Sequence, residues 1–477
     1  MSPRRTGILP ILAALVLVLA ACGPGDESPG ASPADPGETN GTGATDGASP
    51  GDGDGDGTGE VDVSGDIYAY GFTCTTGDTV ATARFNHVTE QYPDLNVECS
   101  ESGFGTGQEF LAALQASNRP DVANVPRNVI GTYIDRDLFA PLDDCINQQG
   151  IDMGNFYDAA VNQVTVDGTV YALPEFFNTR VWILNDSVFA DAGLDAEDFD
   201  VSDWDQIRDV NEQLLQANGQ VSRIGIDPKI PEFLAMWVHA NGGRMISEDG
   251  RESMLDTPEV AEALEFAYSL IQAHGSTAAF NDFRGTWDFF GAENQVAADQ
   301  VGGWPMEQWY LNVLAGNSPD DEITVKPFTG RDGEVVTLAD GNSWAILDGT
   351  DNYDAACAFI SGMVHEDAWI AAAQQRADER AEAGQPNTGV YSGNRAADEV
   401  IFGEIVDLSD YPQFEEAVQI VVENQENAFG FPPSPAGEEF QQAVNDAVDR
   451  VINGEDIETA LRDADQEAQS AIDAAGN

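Results

Sequence analysis

Between residues 66 and 125 the sequence alternates strand-like and helix-like segments, and this constrains the fold more than any other feature of the chain. Asp66-Ile-Tyr-Ala-Tyr-Gly71 reads as a strand running into a turn. Residues 78–91 place Val80, Ala83, Arg84, Phe85 and Val88 at helical spacing. Leu95-Asn-Val-Glu-Cys99 is a second strand. Gly107 to Ser117 is a helix with Phe110, Leu111 and Leu114 on one face, and Asp121-Val-Ala-Asn-Val125 is a third strand. Such a βαβαβ run predicts a parallel sheet covered by helices on both faces, the α/β class. Further on, Thr257-Pro258-Glu259 opens a helix with cap, proline and acid in their preferred places. Its core stripe is Val260, Leu264, Ala267 and Ile271, and Gly275 ends it. Residues 438–452 and 455–474 are two more amphipathic, acidic helices.

The N-terminus reads as a targeting segment. Arg4 and Arg5 precede an apolar stretch, Ile8 to Ala20, that is too short to span a bilayer of about 30 Å. It ends in Leu19-Ala20-Ala21-Cys22, which resembles the lipobox of bacterial lipoproteins. The expectation is a signal peptide over 1–21, with Cys22 lipidated and the protein anchored on the outer face of the cell membrane. Residues 22–65 are expected to be a disordered acidic tether, because they hold almost no large apolar side chain. Asp52-Gly-Asp-Gly-Asp56 imitates the start of a calcium loop, but the twelfth position, which needs Glu, is Val63.

The formal net charge is −64, from 84 acids and 20 bases. Nucleic-acid binding is excluded, since neutralising phosphates needs clustered Lys and Arg. The excess of acids extends through the folded body and reads as a halophilic acidic surface, whose self-repulsion salt would screen. The four histidines, His87, His239, His274 and His365, show no metal-ligand spacing, and neither a metal nor another cofactor is expected. With Cys22 acylated, Cys74, Cys99, Cys145 and Cys357 remain, an even number that suggests disulfides in an exported chain. Three pairings are possible. Cys74 and Cys99 end neighbouring strands, which favours Cys74–Cys99 and leaves Cys145–Cys357.

The order of several segments resembles the extracellular solute-binding proteins of ABC importers, the maltose-binding-protein-like sugar-binding group. Pro120-Asp-Val-Ala-Asn-Val125 is followed by Leu138-Phe-Ala-Pro-Leu142. Val170-Tyr-Ala-Leu-Pro174 is followed by Val181-Trp-Ile-Leu-Asn185, where Leu184 replaces the usual Tyr. Phe189-Ala-Asp-Ala-Gly193 then Trp204, and Asn241-Gly-Gly243 then Ala263-Leu264-Glu265-Phe266, match the second lobe. Val296-Ala-Ala-Asp299 then Gly303-Trp304 matches a further element, with Ala298 in place of Met, and Ala355-Ala-Cys-Ala-Phe-Ile360 matches another. The resemblance covers roughly 66–475.

It implies a bilobed periplasmic-binding-protein-like fold of two α/β lobes. The first would hold 66–177 with about 338–390, and the second 178–335 with about 391–477. Hinge crossovers would lie near 174–178, 336–341 and 386–394. The implied function is capture of a sugar or oligosaccharide in the cleft and delivery to ABC permease subunits, by a monomer. Trp304 sits where the family places a stacking Trp. Asn124, Arg127 and Asn128 follow the third strand, Glu175 and Asn178 lie on the first crossover, and Asn342, Tyr391 and Arg395 lie near the others. Trp237 and Trp344 are further candidates to cover sugar faces, as aromatic rings do. Arg127 and Arg395 could instead bind a phosphate or carboxylate, which would fit glycerol phosphate or an acidic solute. A sensory lipoprotein is a third reading. No nucleophile elbow, P-loop or zinc-protease motif occurs, and 84 acids make a chance carboxylate pair uninformative, so no catalytic residue is nominated and an enzyme is not expected.

Overall fold

The computed structural model describes residues 63–75, 78–217 and 219–476. The signal segment, Cys22 and the tether up to residue 62 lie outside the described residues. The first strands in chain order are β1 (Gly65–Tyr70), β2 (Leu95–Cys99) and β3 (Val122–Pro126), then β4 (Thr165–Val166), β5 (Thr169–Val170) and β6 (Ala172–Pro174). There follow β7 (Arg180–Asn185), β8 (Gln216–Ala217), β9 (Val221–Ile226), β10 (Val301–Glu307) and β11 (Ile323–Pro327). The last are β12 (Thr337–Leu338), β13 (Asn342–Ile346) and β14 (Ala428–Phe429).

Two five-stranded sheets result. One has the order β2-β1-β3-β13-β6 and the other β11-β7-β10-β9-β8. The expected parallel run is present, with β1 pairing parallel to both β2 and β3. Each sheet also takes up antiparallel strands. β13 lies between β3 and β6, and β7 lies between β10 and β11. The reason is connectivity. The chain leaves the first sheet at Pro174, builds the second, and re-enters the first at Asn342 from the opposite direction.

The helices form as the sequence spacing dictates. Thr79–Gln91 buries Val80, Ala83, Arg84 and Val88, and Asp78 caps it. The helix from Gly107 ends at Ala113, earlier than the pattern suggested, and Thr106 with Glu109 forms a capping box. Pro258–Gln272 buries the whole expected stripe, although Thr257 gives its hydroxyl to Met254 O rather than to the helix end. Separate apolar cores back the two sheets. Val122, Trp344, Phe359 and Ile360 belong to one, and Trp182, Trp237, Trp304 and Phe266 to the other.

Two disulfides brace the first unit. Cys74–Cys99 joins the exits of β1 and β2, and Cys145–Cys357 ties the helix Asp143–Gln149 to the helix Tyr353–Val364. The elements around the two sheets also touch directly. Tyr133, on the helix Ile130–Asp135, donates to Glu438 Oε1 at 2.5 Å, at the start of the helix Gly437–Ile452. Gly131 permits this approach, since a Cβ there would stand 2.5 Å from the backbone of Ser434.

Candidate functional site: the facing strand ends

In open α/β sheets, ligands bind beyond the carboxyl ends of the strands. Here the first sheet presents the residues after β1, β3 and β6 and the start of β13: Gly71–Cys74, Arg127, Asn128, Glu175 and Asn342. The second presents those after β9 and β10 and the start of β7: Asp227–Phe233, Gln308, Trp309 and Arg180. Gly71 makes the turn out of β1 with φ +79°, and its Cα lies so near Asn124 O that a Cβ would stand 2.6 Å away.

The first edge is a closed hydrogen-bond network. The Arg84 guanidinium donates to Glu175 Oε1 at 2.7 Å and lies 3.9 Å over the Trp369 ring. Asn124 Nδ2 donates to Glu175 Oε2 at 2.5 Å, and Asn342 Nδ2 donates to Asn124 Oδ1 at 2.6 Å. Arg127 donates to Gln163 Oε1 at 2.9 Å and to the carbonyls of Phe176 (2.5 Å), Asn342 (2.7 Å) and Asp340. Burial pushes its pKa down to about 10, against the pull of Asp340 and Glu175, so it stays charged at neutral pH. Asn128 and Asn178 differ from these neighbours. Both are half-buried, and among the described residues neither side-chain amide has a partner.

The second edge is looser and more aromatic. Arg180 pairs with Asp340 and, at 3.7 Å, with Glu307. Its guanidinium lies 5.0 Å from the Phe233 ring, and the Lys229 ammonium 5.3 Å from the same ring. Lys229 faces Glu232 at 3.8 Å, and Arg284 joins Asp227 at 2.9 Å and Glu232 at 3.7 Å. Gln308 fastens this edge to the first crossover. Its Oε1 accepts the Thr179 N–H at 2.7 Å and its Nε2 donates to Phe177 O at 2.8 Å. Trp309 is thereby set beside that crossover. Its ring runs nearly parallel to Phe290, 17° apart with centroids at 6.2 Å, and Phe290 is an exposed large apolar side chain.

The three nominated tryptophans go elsewhere. Trp304 points from the middle of β10 into the core, enclosed by Trp287, Phe289 and Tyr310, and is 0% exposed. Its position corrects the stacking expectation for this structure, because the ring offers no open face. Trp237 is equally buried against Trp182, Phe266 and Phe328, with its indole donating to Pro228 O. Trp344 packs between Phe72 and Phe359 in the first sheet's core. Strand and helix interiors took these rings because burying an aromatic stabilises the fold more than exposing it.

The two arginines proposed for an anion are likewise engaged. Arg127 serves the crossovers. Arg395 makes a two-point bridge to Glu426 at 2.6 and 3.0 Å and donates to Gly154 O. Tyr391 is buried against Phe402, and burial raises its hydroxyl pKa. Near it the Asp398 carboxyl accepts from Ser392, Tyr157 and Gln425, and burial pushes its pKa up to about 7. A cavity of about 550 Å³ lies among Tyr157, Asn162, Gln163, Arg244, Phe429 and Phe431, and of the nominated residues none lines it. Sequence reading missed Trp309, Phe290 and Lys229. The available signal was their place just past a strand end, or in the loop leading to one, rather than within a strand.

Residues 78–377 match the family described as bacterial extracellular solute-binding protein. A relative from Halalkalibacterium halodurans, named as an arabinooligosaccharide-binding protein, is 25% identical over 57% of this chain. The match spans 61% of that relative, less than two thirds of its length. The fold is similar to an ABC substrate-binding protein from Listeria monocytogenes in complex with cycloalternan, with a TM-score of 0.68 at 19% identity. That likeness covers 86% of this chain and 99% of the other. A Mycobacterium tuberculosis protein in complex with glycerophosphocholine is similar at a TM-score of 0.66 and 16% identity, covering 86% and 99%.

Proposed function

Because the chain belongs to the bacterial extracellular solute-binding protein family, we propose that it captures a neutral oligosaccharide between its two lobes and delivers it to an ABC permease. The observation that carries the choice of ligand is the charge balance of the facing edges. Arg84 answers Glu175, Arg180 answers Asp340 and Glu307, and Lys229 and Arg284 answer Glu232 and Asp227. Arg127 has no carboxylate partner among the described residues, but its guanidinium is engaged by Gln163 and three backbone carbonyls, so it offers no ready charge to a phosphate or carboxylate. What remains is half-buried amide, at Asn128 and Asn178, and aromatic surface, at Trp309 and Phe290. Amides satisfy hydroxyls, and rings cover the apolar C–H faces of sugars. The arabinooligosaccharide-binding relative supports the same class.

Titration calorimetry with arabinotriose, mannobiose and glycerol 3-phosphate tests this. Binding of a sugar with no heat from the phosphate is expected, and the reverse order of affinity would refute it. Among the described residues no helix is long and apolar enough to cross a membrane. Attachment then rests on a lipid at Cys22. Replacing it by Ser should release the protein into the medium, and full retention on the membrane would contradict the anchor.

A further inference from the structure

Lys229 is one of only two lysines in the chain, and its environment is unusual. Its side chain is 10% exposed, yet its ammonium makes no hydrogen bond within the described residues. Its ion-pair partner, Glu232 Oε2, stands 3.8 Å away, beyond hydrogen-bond reach. Donors that no protein group takes are left to solvent, or to a ligand hydroxyl that replaces it. The backbone there is left-handed, at φ +54°, a conformation that residues other than glycine hold only when neighbours enforce it.

Asp227 provides that enforcement. One of its carboxylate oxygens accepts the Lys229 N–H at 2.9 Å, and the other meets Arg284 Nε at 2.9 Å. Arg284 also stands 3.7 Å from Glu232, so Glu232 keeps a cation if Lys229 turns away. Glu232 is itself half-exposed, at the same strand end.

We infer that Lys229 and Glu232 form the part of the site that reads two neighbouring hydroxyls of the ligand. This rests on the carbohydrate reading above and names the groups that select for it. The ammonium donates to the oxygen of one hydroxyl, and the carboxylate accepts the O–H of the next. The pair carries no net charge, so it suits an uncharged polyol. A ligand without a free vicinal diol leaves both groups unmet and is rejected, because unpaired polar groups in a closed site are penalised.

The test is calorimetric titration of arabinotriose into the wild type, Lys229→Met and Glu232→Gln, with a thermal melt of each. Methionine fits the buried stem without the charge. Each variant is expected to melt close to the wild type and to bind at least tenfold more weakly. Lys229→Arg, which keeps donors, should recover part of the loss. If the wild type binds and both variants bind equally well, this inference is overturned while the carbohydrate reading stands. If Lys229→Met unfolds, Glu232→Gln decides alone. A wild type that binds no sugar overturns the carbohydrate reading, and this inference with it.

Discussion

At the edge of the first sheet, Glu175 takes hydrogen bonds from Arg84 and Asn124, Asn124 takes one from Asn342, and Arg127 reaches Gln163 and the carbonyls of Phe176, Asp340 and Asn342. At the edge of the second, Lys229 has only a distant carboxylate, and Trp309 and Phe290 lie partly open. Both edges are rich in charge. The first uses its polar groups to fix the crossovers, leaving just Asn128 and Asn178 free. The second leaves its groups incomplete.

Breaking the first edge should therefore cost folding. Arg84→Met leaves the Glu175 carboxylate buried without its cation, and removing one partner of a buried pair costs about 3–5 kcal/mol. Denaturant unfolding followed by circular dichroism measures this. A loss within error of zero would mean the network is not holding the crossovers. A smaller effect is expected from Asp398, which is buried and accepts hydrogen bonds from Ser392, Tyr157 and Gln425, with Tyr391 nearby. Its folded-state pKa of about 7 lies above the unfolded value of about 4. The folded chain therefore binds the extra proton in that window, and this group's contribution falls as pH rises from about 4 to about 7. Asp398→Asn should flatten that part of the stability profile, and an unchanged slope across it would show that another group titrates there.

The sequence made the architecture readable because periodicity reports burial. The strand at 66–71, the helix at 78–91 and the stripe Val260, Leu264, Ala267 and Ile271 all lie where their apolar spacing puts them. The antiparallel entry of β13 was not readable, since spacing carries no direction. The site was harder for a different reason. A tryptophan in sequence announces a large apolar ring, not which face of a strand it takes. Trp304 and Trp309 are five positions apart in one segment, and only the pleat and the end of β10 separate a core ring from an open one. Polar residues had the same ambiguity. Asn124 lies in β3 and Asn128 two residues past its end, yet one is locked into a network and the other has no side-chain partner among the described residues.

We expect the second sheet's strand ends, not its core, to meet the ligand. The most direct measurement compares Trp309→Ala with Trp304→Ala, titrating arabinotriose by calorimetry and melting each variant. Trp309→Ala should lose about 2 kcal/mol of binding, the scale of an aromatic anchor, with little change in melting temperature. Trp304→Ala should lose about 3–5 kcal/mol of stability, with affinity unchanged per folded molecule. Wild-type affinity in Trp309→Ala together with weakened binding in a stably folded Trp304→Ala would contradict the account.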